Sequence, residues 1–284
     1  MKLLSIFALC IAGAAHAFSV VELTPHHIES PVLANIVEST NNIEPNGRIT
    51  NGEKATAGQF PYQVGLLLKS NAVSSAWCGG SLISNTYVLT AAHCIDSIPE
   101  ITVYLGATER TSPEFTHTVT KADVIIHSSW NRRTLRNDIS LIKIPYTPYT
   151  SKISAVQLPS IANSYSTYIG ERVVASGWGR TSDSSNSVTK HLMFATLEVF
   201  SNSLCAKSYG SSFVRSSIIC VATPSGQSTC NGDSGGPLVL ESSMIQVGLT
   251  SFGASIGCEL GYPITFTRLT KYLKWIKEHT GVSY

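Results

Sequence analysis

Cys230-Asn231-Gly232-Asp233-Ser234-Gly235-Gly236-Pro237 sets one serine among three glycines and a proline. Such a string enforces a tight, exposed turn, because glycine reaches backbone conformations closed to other residues. It also leaves room for amide N–H groups to converge on a developing oxyanion with no Cβ in the way. An isolated Gly-x-Ser-Gly is usually an ordinary turn. Here the string is longer and runs directly into the apolar stretch Pro237 to Leu240, which predicts a strand starting at the turn.

Two other segments carry side chains that could work with such a serine. In Leu89-Thr90-Ala91-Ala92-His93-Cys94 a histidine follows small residues and adjoins a cysteine able to pin its loop. Histidine is the side chain suited to moving a proton near neutral pH. The other seven histidines lack such a setting and read as surface or satisfied core residues. In Asn137-Asp138-Ile139-Ser140-Leu141-Ile142-Lys143-Ile144 a carboxylate heads a strongly apolar strand. It is either a solvated turn residue or a buried partner. As a partner of histidine it would fix the imidazole tautomer and stabilise its cation, which a serine-activating base requires.

Around these segments the chain reads as short β-rich runs separated by Gly, Pro, Asn and Ser. They include Tyr62 to Leu68, Thr102 to Leu105, Val119 to Ile126, Arg172 to Ala175, Met193 to Val199, Gln246 to Thr250 and Ile264 to Arg268. Many short strands at this spacing predict an all-β sandwich or barrel architecture. Leu269, Leu273 and Ile276 recur at helical steps, and Gly281 is a plausible stop, so a helix over about 269–280 closes the chain.

The N-terminus is of a different kind. Lys2, the apolar run Leu3 to Ala15 and the small-x-small triplet Ala15-His16-Ala17 read as a signal peptide over residues 1–17. The run is too short for a span, which needs about 20 apolar residues. A secreted, extracellular and oxidising destination follows. Residues 18–47 hold four Glu and neither Lys nor Arg, an acidic leader with little apolar periodicity. It ends at Asn46-Gly47-Arg48, a basic residue in an exposed Gly/Asn turn that a protease could cut, or else a simple linker. Of seven cysteines, Cys10 leaves with the signal. The other six suit three disulfides whose pairing the spacing leaves open. There is no Cys-x-x-Cys and no His-Glu-x-x-His, so no zinc and no cofactor is expected. Charged residues are 13% of the chain and the net charge is +2, which gives no reason to expect nucleic acid or a membrane as partner.

In the chain order His93, Asp138, Ser234, the three segments together resemble the chymotrypsin-like serine proteases, from Ile49 to the C-terminus. The resemblance implies two antiparallel six-stranded β-barrels with a C-terminal α-helix. Barrel one would cover about 49–160 and barrel two about 161–268, in a protease domain over 49–284 behind an activation propeptide over 18–48. It implies Ser234 as nucleophile, His93 as general base and acid, Asp138 as its orienter, and the backbone N–H groups of Gly232 and Ser234 as the oxyanion hole. It implies the pairs Cys78–Cys94, Cys205–Cys220 and Cys230–Cys258. It implies a monomeric zymogen cut after Arg48 by a trypsin-like protease, with the new α-amino group of Ile49 pairing with Asp233. Thr50 stands where Val is usual. Metal is not implied: calcium-binding members have Glu where this chain has Ala107, after Gly106.

By the same resemblance the specificity pocket has Ser228 at its base, with Ser251-Phe252-Gly253 and Pro263-Ile264-Thr265 as walls. A neutral base argues against Lys or Arg at P1, the residue before the scissile bond. Ile264 replaces a usual Gly and should narrow the pocket. The string Ser251 to Glu259 followed by Gly261-Tyr262-Pro263 looks like arthropod chymotrypsins and brachyurin collagenases. The collagenolytic members often carry an acidic residue in place of Ile264. The expected activity is a secreted endopeptidase acting on proteins and peptides after aromatic or large apolar residues, and stopped by protein protease inhibitors. Two alternatives stand beside it: an elastase-like preference for small apolar P1, and a secreted binding protein on a protease scaffold that has lost catalysis.

Overall fold

The computed structural model describes residues 49–284 apart from 51 and 72. The expected signal peptide (1–17), the leader (18–48) and Arg48 lie outside the described residues.

The described chain forms fourteen strands in two antiparallel sheets. β1 (Glu53–Lys54) opens it and belongs to the second sheet. The first sheet holds β2 (Gln63–Lys69), β3 (Ser75–Ser84), β4 (Tyr87–Thr90), β5 (Glu100–Leu105), β6 (Phe115–Thr120), β7 (Val124–Ile126) and β8 (Ser140–Lys143), in the order β6-β5-β2-β3-β4-β8-β7. The second adds β9 (Arg172–Gly177), β10 (Met193–Phe200), β11 (Ile218–Ala222), β12 (Pro237–Leu240), β13 (Gln246–Phe252) and β14 (Ile264–Arg268). Its order is β1-β10-β11-β14-β13-β12-β9, and a further β9–β10 pairing from Met193↔Gly177 to Glu198↔Arg172 closes six strands into a barrel. The architecture is that of the chymotrypsin fold. One of the two expected barrels differs in detail: the first sheet is a curled half-barrel with no closing pair among the described residues.

Each sheet encloses an apolar core. Val64, Leu66, Val103 and Ile142 fill the first, and Val173, Ala175, Val221, Leu238 and Phe266 the second. A third cluster, with Leu89, Leu141, Trp178, Val239 and Ile276, lies where elements of both halves meet. Short helices punctuate the sheets: α1 (Ala92–Ile95), α2 (Asn202–Tyr209) and α3 (Leu273–Thr280). In α3, Leu273 and Ile276 are buried, and Gly281 ends the helix in the left-handed conformation with its N–H on the Lys277 carbonyl at 2.8 Å. The expected helix therefore starts later, after a single 3-10 turn over Leu269–Lys271.

Three features depart from the sequence reading. Ile49 and β1 sit with the second sheet instead of the first: Ile49 is buried in its core and β1 pairs with β10 at Glu53↔Phe194. The long run Val119 to Ile126 is broken by a turn over Lys121–Asp123, where Asp123 caps Thr120. β3, β11 and helix α2 carry no clear periodic signal, since Gly79, Gly80, Ser201 and Asn202 interrupt the pattern where disulfides and facing strands supply the hold.

Candidate active site

The turn Gly232–Pro237 is built from inside. The Asp233 N–H donates to the Cys230 carbonyl and the Gly236 N–H to the Asp233 carbonyl, both at 2.9 Å. The Gly235 N–H reaches the Thr250 carbonyl on β13 at 2.8 Å. Gly235 has φ +76°, and a Cβ there would collide with Thr90 and Gly79 of the opposite half of the molecule. The turn is thus clasped from across the cleft, and the Gly79 N–H of β3 donates to the Ser234 carbonyl at 2.8 Å. Among the described residues, the N–H groups of Gly232 and Ser234 serve no acceptor within the protein. They are the two donors left over at the turn.

Asp233 points the other way and has no exposed surface. Its carboxylate accepts the Gly179 N–H at 2.7 Å and the Cys230 N–H at 2.9 Å. Burial raises its pKa to about 6, against the opposing pull of these two donors. No cationic side chain among the described residues pairs with it.

His93 lies in α1 and Asp138 at the head of β8, two elements joined through the β4–β8 pairing. His93 Nδ1 is 2.7 Å from Asp138 Oδ2, and the His93 backbone N–H donates to Asp138 Oδ1 at 2.9 Å. The Ser251 hydroxyl donates to Oδ2 at 2.7 Å. The Asp138 side chain is wholly buried, whereas His93 keeps 24% of its side-chain surface accessible. Asn137, at φ +55°, makes the sharp approach and is held by Tyr272 and Ser129. Burial pulls the His93 pKa down, the charge and hydrogen bond of Asp138 push it up, Arg132 opposes weakly, and the net direction is upward. Ser234 Oγ makes no hydrogen bond to His93 among the described residues. Both residues instead contact Cys94 Sγ, 3.8 Å from His93 Nε2 and 3.5 Å from the Ser234 carbonyl. Such bonds are often long in unliganded sites and tighten on substrate.

Three disulfides brace these parts. Cys78–Cys94 ties β3 to α1, Cys205–Cys220 ties α2 to β11, and Cys230–Cys258 ties the serine turn to the loop after β13. The groupings of Cys78, His93 and Cys94, and of Asp183, Cys230 and Cys258, are made of these oxidised sulfurs, which offer a metal no thiolate.

Next to the turn, Ser228 is fully buried and its hydroxyl donates to the Thr229 carbonyl at 2.9 Å. Thr50 grips it from behind: its hydroxyl donates to the Ser228 carbonyl at 3.0 Å, and the Ser228 N–H returns to the Thr50 carbonyl at 3.3 Å. Ile264 reaches across to Gly253, such that a Cβ on Gly253 would lie 2.7 Å from Ile264 Cδ1. Tyr209 and Phe252 pack edge to face beside this wall, with ring centroids 5.6 Å apart, and Tyr209 Oη donates to the Pro263 carbonyl. Sequence reasoning missed three contributors here. Thr50 looked like a neutral exchange, Ser251 like a pocket wall only, and Gly79 had no assigned role; the Gly pair after Cys78 was the one available signal.

A serine in a turn with two unengaged N–H groups, beside a histidine held by a buried carboxylate, is the arrangement of a serine protease. Residues 49–276 match the trypsin family, and the chain belongs to it as a trypsin-like serine endopeptidase acting on protein substrates. It is 45% identical to Serine protease 1 of Drosophila melanogaster over 84% of this chain and 88% of that one. It is 37% identical to a collagenase of Hypoderma lineatum over the full length of both. The solved structure of HL collagenase superposes with a TM-score of 0.75 at 38% identity, covering 82% of this chain and 99% of the other.

Proposed function

We propose that this chain is the secreted precursor of an endopeptidase in which Ser234, His93 and Asp138 carry the chemistry and apolar residues are preferred at P1. The observation that carries the reading is the His93–Asp138 pair, bonded at 2.7 Å with the carboxylate fully buried beside the Ser234 turn. Ser234 Oγ attacks the scissile carbonyl while His93 Nε2 takes its proton. The Gly232 and Ser234 N–H groups receive the oxyanion, and losing one such donor typically costs about 3–4 kcal/mol of transition-state stabilisation. His93 then protonates the leaving amine, the acyl group stays on Ser234, and water activated by His93 releases it. Asp138 holds the Nδ1–H tautomer throughout.

Cleavage after Arg48 supplies the switch. The freed ammonium of Ile49 pairs with Asp233, a buried carboxylate to which two N–H groups donate among the described residues. Because Asp233 lies between Gly232 and Ser234, this pairing fixes the oxyanion donors. The activator is trypsin-like, since it cuts after arginine.

Ser228 gives the pocket an uncharged, internally satisfied floor, which favours apolar over basic P1 side chains. Leu, Phe and Tyr are the best candidates. A second reading, elastase-like preference for small side chains, draws on the approach of Ile264 to Gly253. Labelling with an organophosphonate and P1 profiling of the cut protein test all of this. The reading requires labelling of wild type but not of Ser234→Ala, and cleavage after apolar residues. Absence of labelling would mean a non-catalytic binding protein, and cleavage mainly after Lys or Arg would overturn the pocket assignment. Phe outrunning Ala selects the chymotrypsin-like reading, and the reverse order the elastase-like one.

A further inference from the structure

A cavity of about 580 Å³ opens on the second half of the molecule. Small-molecule sites commonly span about 300–1,000 Å³. The cavity lies among the segment before β9, helix α2, the stretch joining α2 to β11 and the turn after β14. None of the residues that line it takes part in the chemistry above. Arg215, Arg268 and Lys271 line it, and no Asp or Glu does. None of these three cations forms an ion pair among the described residues. Cations without a carboxylate give the cavity a positive potential.

Arg268 is the fixed point of the site, only 8% exposed. Its Nε and Nη2 donate to the Ile218 carbonyl at 3.2 and 3.0 Å, and its Nη1 donates to the Thr167 carbonyl at 3.1 Å. A guanidinium has five N–H donors, so each Nη keeps one N–H with no acceptor among the described residues. Burial pulls the Arg268 pKa below the ordinary arginine value and Tyr168 opposes the shift. The side chain stays charged, since arginine does not give up its proton in proteins. A buried cation held by carbonyl dipoles alone is under-compensated, and an anion beside it makes good the deficit. The neighbouring groups are held in place around it. Asn202 Nδ2 donates to the Arg215 carbonyl at 2.8 Å and to the same Ile218 carbonyl at 2.9 Å. Arg215 Nε donates to the Ser212 carbonyl at 2.8 Å, and its two Nη groups have no acceptor among the described residues. Asn202 and Ser203 open helix α2 and line the cavity, and their backbone N–H groups serve no acceptor among the described residues. The helix end adds partial positive charge there. The remaining lining is rich in hydroxyls, Ser164, Ser166 and Ser216 among them.

We propose that this cavity binds a saccharide carrying a sulfate or phosphate ester. The ester oxygens meet Arg215, Arg268 and Lys271, because a guanidinium fork matches the oxygens of such a group. The sugar hydroxyls exchange hydrogen bonds with the serine hydroxyls of the lining, which donate and accept alike. The site shares no residue with the Ser234 turn, so it stands independently of the endopeptidase reading.

Isothermal titration calorimetry on the full chain tests this, with glucose 6-sulfate, glucose 6-phosphate, glucose, inorganic sulfate and inorganic phosphate as probes. At least one ester should bind about tenfold or more tightly than glucose and than its own inorganic anion, since charge-assisted hydrogen bonds and sugar contacts add. The tighter ester names the source of the charge. Its Kd should rise several-fold at about 0.5 M NaCl, where screening reaches only a few ångströms. In the Arg215→Gln, Lys271→Gln double variant, with its melting temperature intact, Kd should rise about tenfold or more as those bonds are lost. A Lys121→Gln, Lys143→Gln variant removes two exposed cations outside the cavity and should leave Kd unchanged. No binding of either ester, glucose or an inorganic anion binding as tightly as the esters, or an equal loss in the two double variants would each overturn the proposal. Catalysis is not part of the readout, so none of these results bears on Ser234.

Discussion

Asp138 is a carboxylate with no accessible surface, and its position is tolerable only because three donors surround it: His93 twice and Ser251 once. A buried, partnerless charge would cost several kcal/mol, so the same contacts that make the residue affordable also fix the His93 ring. Asp138→Asn should therefore lower kcat roughly 10⁴-fold near neutral pH, because an amide offers its NH₂ to Nδ1 and selects the wrong tautomer. Steady-state kinetics with an intact denaturation midpoint would separate this from misfolding. On the proposed mechanism the raised pKa of His93 sets the acid limit of activity. The base must be neutral to accept the Ser234 proton, so an upward shift moves the loss of activity to higher pH. The acid limb of kcat/KM should lie above about 6.5, the ordinary histidine value; a limb below it would contradict the Asp138 pairing. At this scale His93, Asp138 and Ser234 were legible because each sits in a short contiguous motif. The Ser251 bond to Asp138 was not, since 113 residues separate the two and a serine in a strand has no local mark of its partner.

Among the elements, β3 and α3 contrast. Strand β3 is glycine-rich because the serine turn presses against it: a Cβ at Gly79 would lie 2.9 Å from Gly236 Cα. Backbone meets backbone there, so neither side can yield as a flexible side chain would. Gly79→Ala should destabilise by about 1–3 kcal/mol and also lower activity per folded molecule at least tenfold, as the Gly79 bond to the Ser234 carbonyl is displaced. In α3, Ile276 is fully buried in the cluster shared by both halves and supplies no polar group to the site. Ile276→Ala should cost about 2–5 kcal/mol while activity per titrated active site stays near wild type. Urea melts combined with active-site titration distinguish the two outcomes. The periodicity of α3 was readable, since its apolar residues repeat with the helix and Gly281 stops it. The glycines and serines that hide β3 from pattern reading are the residues the cleft requires.

For the whole molecule, the folded chain carries a pH signature. Asp233 has its pKa raised to about 6 from 3.8, so the folded chain holds that proton more tightly than the unfolded chain does. By linkage, stability falls as pH rises from about 4 to 6 and stays lower above, by an amount on the order of 2–3 kcal/mol. Comparing urea midpoints of wild-type and Asp233→Asn precursors isolates this group. The variant should gain on wild type as pH rises across that window, and a constant difference would refute the buried, uncompensated carboxylate. If cleavage places the Ile49 ammonium on Asp233 as proposed, that charge lowers the Asp233 pKa, so in the cut protein the wild type should no longer lose on the variant between pH 4 and 6.

Contiguous chemistry was written in the chain itself: the Gly-rich serine turn, the small residues before His93, the acid heading an apolar strand, the six cysteines and the closing helix. These are local because turn geometry, strand alternation and helical period act over a few neighbours. Tertiary structure alone decided which strands close into a barrel, that Ile49 and β1 cross to the second sheet, and that Thr50 backs Ser228. It also decided that Ser251 completes the Asp138 shell and that Ile264 reaches Gly253. Each of these depends on contacts between residues far apart in sequence, and such contacts are set by how two curved sheets bury their cores against each other, which no local pattern encodes.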